Sequence, residues 1–174
     1  MLSIKEIINE EIMNTVANYP SFGDRLNLDE VGEASGTPYP YKFDNISYDE
    51  VHYNFDTKED QYSVIFRLVD RIQRIWHLEF GVVDGTPETT TNAFDISNVM
   101  ATVVKIVNEF IDKFKPNALK FLPSKTGGDN DMRRHHLYMA YIKKNMRPDY
   151  FVYEVLPYII IERKAKIFDK NAIQ

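Results

Sequence analysis

Residues 51–82 read VHYNFDTKEDQYSVIFRLVDRIQRIWHLEFGV, and the fold turns on their period. Val51, Tyr53 and Phe55 alternate with polar residues. Tyr62, Val64, Phe66 and Leu68 do the same after the turn residues TKED, and Trp76, Leu78, Phe80 and Val82 form a third set. Alternation of this kind sends successive side chains to opposite faces of an extended chain. With such short connections, the stretch predicts a three-stranded antiparallel meander with one buried face. Gly85-Thr86-Pro87 ends it.

Downstream the period changes. In DISNVMATVVKIVNEFIDKFKP, the residues Ile96, Val99, Met100, Val103, Ile106, Val107, Phe110 and Phe114 form one helical stripe. Asp95 stands at the N-cap position and Pro116 ends the run. ALKFLP suits a short buried strand, and DMRRHHLYMAYIKKN, residues 131–145, suits an amphipathic helix. YFVYEVL and YIIIERK read as two final strands with Pro157 as the bend between them. Upstream, Ile4, Ile8, Ile12 and Val16 follow Ser3, with Glu6 completing a capping box, which predicts a helix over 3–17. An irregular segment near 18–40, with a short helix near Leu28–Val31, joins it to the meander. The expected fold is a single α+β domain over 1–174, in the order α-β-β-β-α-β-α-β-β. Its mixed, mostly antiparallel sheet has helices packed on its faces, and its fourth strand is paired in parallel through a helical crossover.

Composition narrows the chemistry. Of 174 residues, 44% are hydrophobic, enough to bury a core. There are no cysteines, which removes disulfides, thiolate metal sites and cysteine nucleophiles. The start, MLSIKEIINEEIMN, lacks the apolar run of a signal peptide, and no stretch reaches the roughly 18 apolar residues of a membrane helix. The cytoplasm is the expected location and no membrane partner is expected. A net charge of −5 argues against bulk nucleic-acid binding. Basic residues nevertheless gather late in the chain, and Arg133, Arg134, Lys143 and Lys144 mark a candidate patch for an anion or a partner. Nucleic acid is the lesser alternative for that patch.

Few residues have the spacing of a reactive constellation. His77 and Glu79 share the face opposite Trp76, Leu78 and Phe80, so in a cleft they could act as general base and orienting partner. An exposed strand face is the simpler reading of both. His135 and His136 are neighbours on a helix, about 100° apart, and cannot chelate one ion as an i, i+4 pair does. No metal is expected. On the helical wheel His135 falls with Tyr138, Met139 and Ile142 toward the core, and His136 falls toward solvent. Arg134 and Tyr138 are one turn apart and can touch. KTGGD lacks the order of a phosphate-binding P-loop. Thr89, Thr90, Thr91 and Asn92 precede a helix N-terminus, a position that suits anions, although the loop has no glycine for close backbone approach.

The order of helix, meander, long helix, strand, helix and two strands resembles that of the GNAT N-acyltransferases. That resemblance implies acetyl-CoA binding by the third meander strand and the following helix N-terminus, here through Thr89, Thr90, Thr91 and Asn92. It also implies a glutamate on that strand that activates the amine, Glu79 (or His77 beside it), and a tyrosine on the last helix that protonates the thiolate, Tyr138. Where those enzymes have a Gln/Arg-x-x-Gly-x-Gly/Ala loop, this chain has TTTNAFDI, without glycine. The segments WHLEF, FDISNVMATVVKIVNEFIDKFKP, ALKFLPSK and RHHLYMAYIKK, within residues 74–144, are also similar to an uncharacterised family of small tailed-bacteriophage proteins with a GNAT-like arrangement. The expectation leans away from an enzyme. It is a phage protein without a cofactor, acting through contacts with a viral or host protein in the host cytoplasm or on the virion. The alternative is an acetyl-CoA-dependent N-acyltransferase with an atypical pyrophosphate loop.

Overall fold

The computed structural model describes residues 36–83, 95–123 and 133–164. The alternating runs of the meander form β2 (Glu50–Asp56), β3 (Gln61–Asp70) and β4 (Ile75–Val82), and β1 (Tyr41–Ile46) precedes them. Helix α1 (Ile96–Phe114) leads to β5 (Ala118–Phe121), and α2 (Arg133–Asn145) leads to the hairpin of β6 (Tyr150–Val155) and β7 (Tyr158–Arg163). The seven strands make one sheet in the order β1-β2-β3-β4-β5-β7-β6. Only β4 and β5 run parallel, as a helical crossover through α1 requires.

One face of the sheet carries the core. Val51, Tyr53, Phe55, Tyr62, Val64, Phe66, Trp76 and Leu78 are all buried there. Phe110 of α1 stacks on Phe66 with centroids 3.8 Å apart and meets Trp76 edge-on at 5.1 Å. Tyr138 of α2 packs on Phe80 and Phe121 of the same face, and its neighbour Tyr141 shares a 2.8 Å hydrogen bond with Ser97 of α1. Both described helices therefore lie on one side of the sheet. Strand β5 is buried at all four positions and Ile159, Ile160 and Ile161 of β7 are fully buried, as befits strands in the interior of the sheet.

The GNAT-like layout expected from the sequence is not the one found. The described chain opens on a strand, and it forms a seven-stranded sheet with two helices, where a helix-led α+β order was expected. The helix expected over 3–17 lies outside the described residues. Strand β1 escaped the period-two reading for a physical reason. Its register slips between Phe43 and Asn45, so Phe43 and Ile46, which pair with the core positions Tyr53 and Val51, are three positions apart. A bulge inserts one residue and breaks alternation.

The helix ends also depart from their simplest reading. Asp95 stands at the start of α1 but makes no side-chain cap. Its carboxylate accepts the Tyr39 hydroxyl at 2.6 Å instead, which ties residues 36–40 across the helix. Lys115 closes α1 in the left-handed region (φ 49°), donating its N–H to the Ile111 carbonyl, and Pro116 follows.

Candidate interaction site

The second face of the sheet is built from the residues between the core positions. Register sets their neighbours: Glu50 of β2 stands opposite Arg67 of β3, which stands opposite His77 of β4, which pairs with Lys120 of β5. His52, Ile65 and Glu79 form the next row. Arg67 joins the two rows. Its Nε donates to Glu50 Oε2 at 2.8 Å and its Nη1 to Glu79 Oε2 at 2.5 Å. His52 bonds the other Glu50 oxygen, and His77 Nδ1 lies 3.4 Å from the other Glu79 oxygen. The hydrogen bonds from His52 and then Arg67 hold the Glu50 carboxyl below its ordinary value near 4.5. Lys120, largely buried, has its Nζ 4.5 Å over the Tyr158 ring.

This pairing has a pH signature. A carboxyl whose pKa is depressed by folding contributes stability above its unfolded pKa, and that stability is lost as pH falls through the folded value. Arg67→Met removes the shared cation and leaves the Glu50 and Glu79 carboxylates around the gap. The variant is expected to melt several degrees below the parent at neutral pH. The deficit should shrink as pH falls below about 4.5 and through the lowered value at which Glu50 takes up its proton in the parent. Melting curves across that range check it; a deficit independent of pH would mean that packing, not charge, is what Arg67 supplies.

Beyond the rows, a shallow concavity of about 510 Å³ opens on the same face. Asn54, Gln61, Ser63, Ile65 and Glu79 line it. Gly81 leaves room in it, since a Cβ there would meet nothing within 4 Å.

The end of the sheet next to Glu50 and Arg67 has another character. The β1–β2 and β3–β4 turns meet there, joined by the Leu68 N–H donating to the Asp49 carbonyl at 2.7 Å. Four large apolar side chains stand out from them: Ile46 is 54% exposed, Tyr48 72%, Val69 45% and Ile72 81%. The Arg71 guanidinium lies 3.9 Å over the Tyr48 ring.

Of the residues expected from the sequence, His77 and Glu79 lie side by side on the second face. Tyr138 lies on the core face, packed against Phe80 and Phe121, so the sheet stands between it and Glu79. Thr89, Thr90, Thr91 and Asn92 fall outside the described residues. Arg133 and Arg134 open α2, and the structure does not describe their side chains. Lys143 and Lys144 are exposed in the last turn of α2, where cations complement the helix dipole. His135 is buried, with Nε2 3.7 Å from Glu154 Oε2, and burial holds its pKa below the usual histidine value against the pull of that carboxylate. His136, expected to meet solvent, is half-buried, and its ring stands perpendicular to that of His135. Among the described residues no three His, Asp or Glu side chains are grouped to hold a metal, and no helix is long and apolar enough to cross a membrane.

Sequence reasoning missed Glu50, His52 and Arg67. The turn TKED held the signal: with Asp56 opposite Gln61 across it, counting back along both strands sets Glu50 against Arg67. Residues 37–173 match the model of a protein family described as a family of unknown function (DUF6934). No curated protein matches the chain.

Proposed function

The chain belongs to the DUF6934 family, whose description carries no activity, and we propose from its geometry that it is non-catalytic and works by binding another protein. One observation carries this reading: the four exposed apolar side chains gathered with Arg71 at one end of the sheet. Contiguous exposed apolar groups on a folded protein mark a contact surface. Tyrosine and arginine are the residues that most often anchor one. The second face supports the same reading. Both Glu79 oxygens are engaged, one by Arg67 and one facing His77, so taking a proton from a bound amine would mean breaking that network. Tyr138 is on the other side of the sheet and cannot meet the same substrate as Glu79. The similarity of segments within residues 74–144 to small tailed-phage proteins supports a viral setting, with a viral or host protein as partner.

A photo-reactive phenylalanine analogue at position 72, in the full chain in its native cell, is expected to give one discrete cross-linked product. The same probe at Lys58, in the β2–β3 turn at the far end of the sheet, should give none. Equal labelling from both positions, or none from either, would overturn the reading. So would a rise in melting temperature with millimolar acetyl-CoA, since a ligand that binds the native state stabilises it.

A further inference from the structure

The concavity on the second face lies toward the β2–β3 turn, at the other end of the sheet from Ile72. Its floor is flat. Gly81 of β4 stands opposite Ser63 of β3, and Ser63 stands opposite Asn54 of β2. Phe80 and Val82 turn their side chains to the core face, so around Gly81 the floor is bare strand backbone. A glycine within a strand marks a place where another group can approach the backbone closely. Ile65 adds an aliphatic wall.

The rim is made of hydrogen-bond acceptors. Asn54 donates its Nδ2 to Asp44 Oδ2 at 2.9 Å, and Gln61 donates its Nε2 to Asp56 Oδ1 at 3.0 Å. Asp44 is on β1 and Asp56 on β2, so both amide nitrogens are drawn toward the β1 edge. Both amide oxygens are thereby left on the side that faces β4 and the concavity. Ser63 adds a hydroxyl, and Glu79 adds a carboxylate with lone pairs beyond those that Arg67 uses. Charge has the same sense. Asp44, Asp56, Glu59 and Asp60 lie around this end against Lys42 and Lys58, while Arg67 is shared between Glu50 and Glu79. Lys120, beside His77, has its Nζ over the Tyr158 ring.

We propose that this concavity binds a small planar organic cation of the guanidinium class, laid flat on Gly81 with its N–H groups directed at Ser63, Glu79 and the Asn54 and Gln61 oxygens. A guanidinium spreads its donors in one plane, which matches acceptors set around a flat floor. An ammonium is a compact point charge and suits acceptors that converge on one spot. The guanidinium is also the more weakly hydrated of the two, so a partly aliphatic surface costs it less water. A carboxylate or phosphate would meet acceptors and like charge. The site is separate from the protein contact at the Ile72 end of the sheet.

Titration of the isotope-labelled full chain with butylguanidinium, followed by NMR, tests the proposal. The Ser63 and Gly81 amide signals are expected to move and to saturate at about 1–10 mM ligand, while the Ile72 signal stays in place. Butylammonium should bind at least about fivefold more weakly, and butyrate should cause no shift. Gly81→Val raises a side chain from the floor, where a Cβ meets nothing within 4 Å, and should weaken binding at least about tenfold. Glu79→Gln keeps the shape and removes the charge, and should also weaken binding about tenfold. Unchanged melting temperatures will confirm that each variant is folded, and Glu79→Gln decides the matter if Gly81→Val is not. The proposal is overturned if the shifts do not saturate, or if butylammonium or butyrate binds as tightly as butylguanidinium. It is equally overturned if the folded variants bind as the parent does.

Discussion

Phe110→Ala is expected to lower the unfolding free energy by about 3–5 kcal/mol, the cost typical of removing a fully buried aromatic ring. Phe110 has no exposed surface and joins α1 to the sheet. It stacks on Phe66 at 3.8 Å, meets the edge of Trp76 at 5.1 Å and contacts Phe114 at 4.6 Å. Truncation removes the ring from all three at once, and neighbours on a rigid sheet cannot collapse into the space. Phe110→Leu keeps more of the volume and should lose less. Denaturant unfolding checks the difference: the midpoint should fall with the slope unchanged. A loss below about 1 kcal/mol would mean that this stack is not what fastens α1 to the sheet.

Gly36→Ala is expected to cost about 1–3 kcal/mol, through overpacking rather than through a cavity. A Cβ at Gly36 would stand 2.2 Å from the Ser97 carbonyl oxygen, 2.4 Å from its carbon and 2.8 Å from the Asn98 nitrogen. These are backbone atoms at the start of α1, so no side chain can swing aside to make room. The segment would have to lift, and three hydrogen bonds depend on it. The Thr37 N–H donates to Asn98 Oδ1 at 2.9 Å, the Tyr39 N–H to Thr102 Oγ1 at 2.8 Å, and the Tyr39 hydroxyl to Asp95 at 2.6 Å. Hydrogen exchange should therefore show loss of protection at Tyr39 well beyond any change in the central strands. Gly81→Ala is the control, since its Cβ meets nothing, and it should change stability by less than about 0.5 kcal/mol. Equal effects at the two glycines would remove the close-approach argument.

How much of this could be read beforehand depended on the kind of fact. The faces of β2, β3 and β4 and the apolar stripe of α1 were legible residue by residue. His77 and Glu79 were legible as a pair on one face because they lie two positions apart on one strand. Arg67, which holds Glu79 and Glu50 together, was not noticed, because its partners come from two other strands. The exposed group of Ile46, Tyr48, Val69 and Ile72 was equally hidden: in DRIQR, Ile72 resembles any apolar residue in a charged run. Resemblance to GNAT enzymes misled about the layout, because a similar order of elements does not say where the first strand begins.

By itself, the sequence determined which residues share a face of each regular element, because alternation and helical period follow from local backbone geometry. Tertiary structure decided which faces meet. It set Arg67 between two carboxylates, put both described helices on one side of the sheet, separated Tyr138 from Glu79 and brought two turns with exposed apolar side chains together at one end. Those neighbours depend on turn lengths, on the bulge in β1, on the slipped register after Leu68 and on the crossover between parallel strands. A single inserted residue shifts the pairing of everything beyond it, and no local period records that shift.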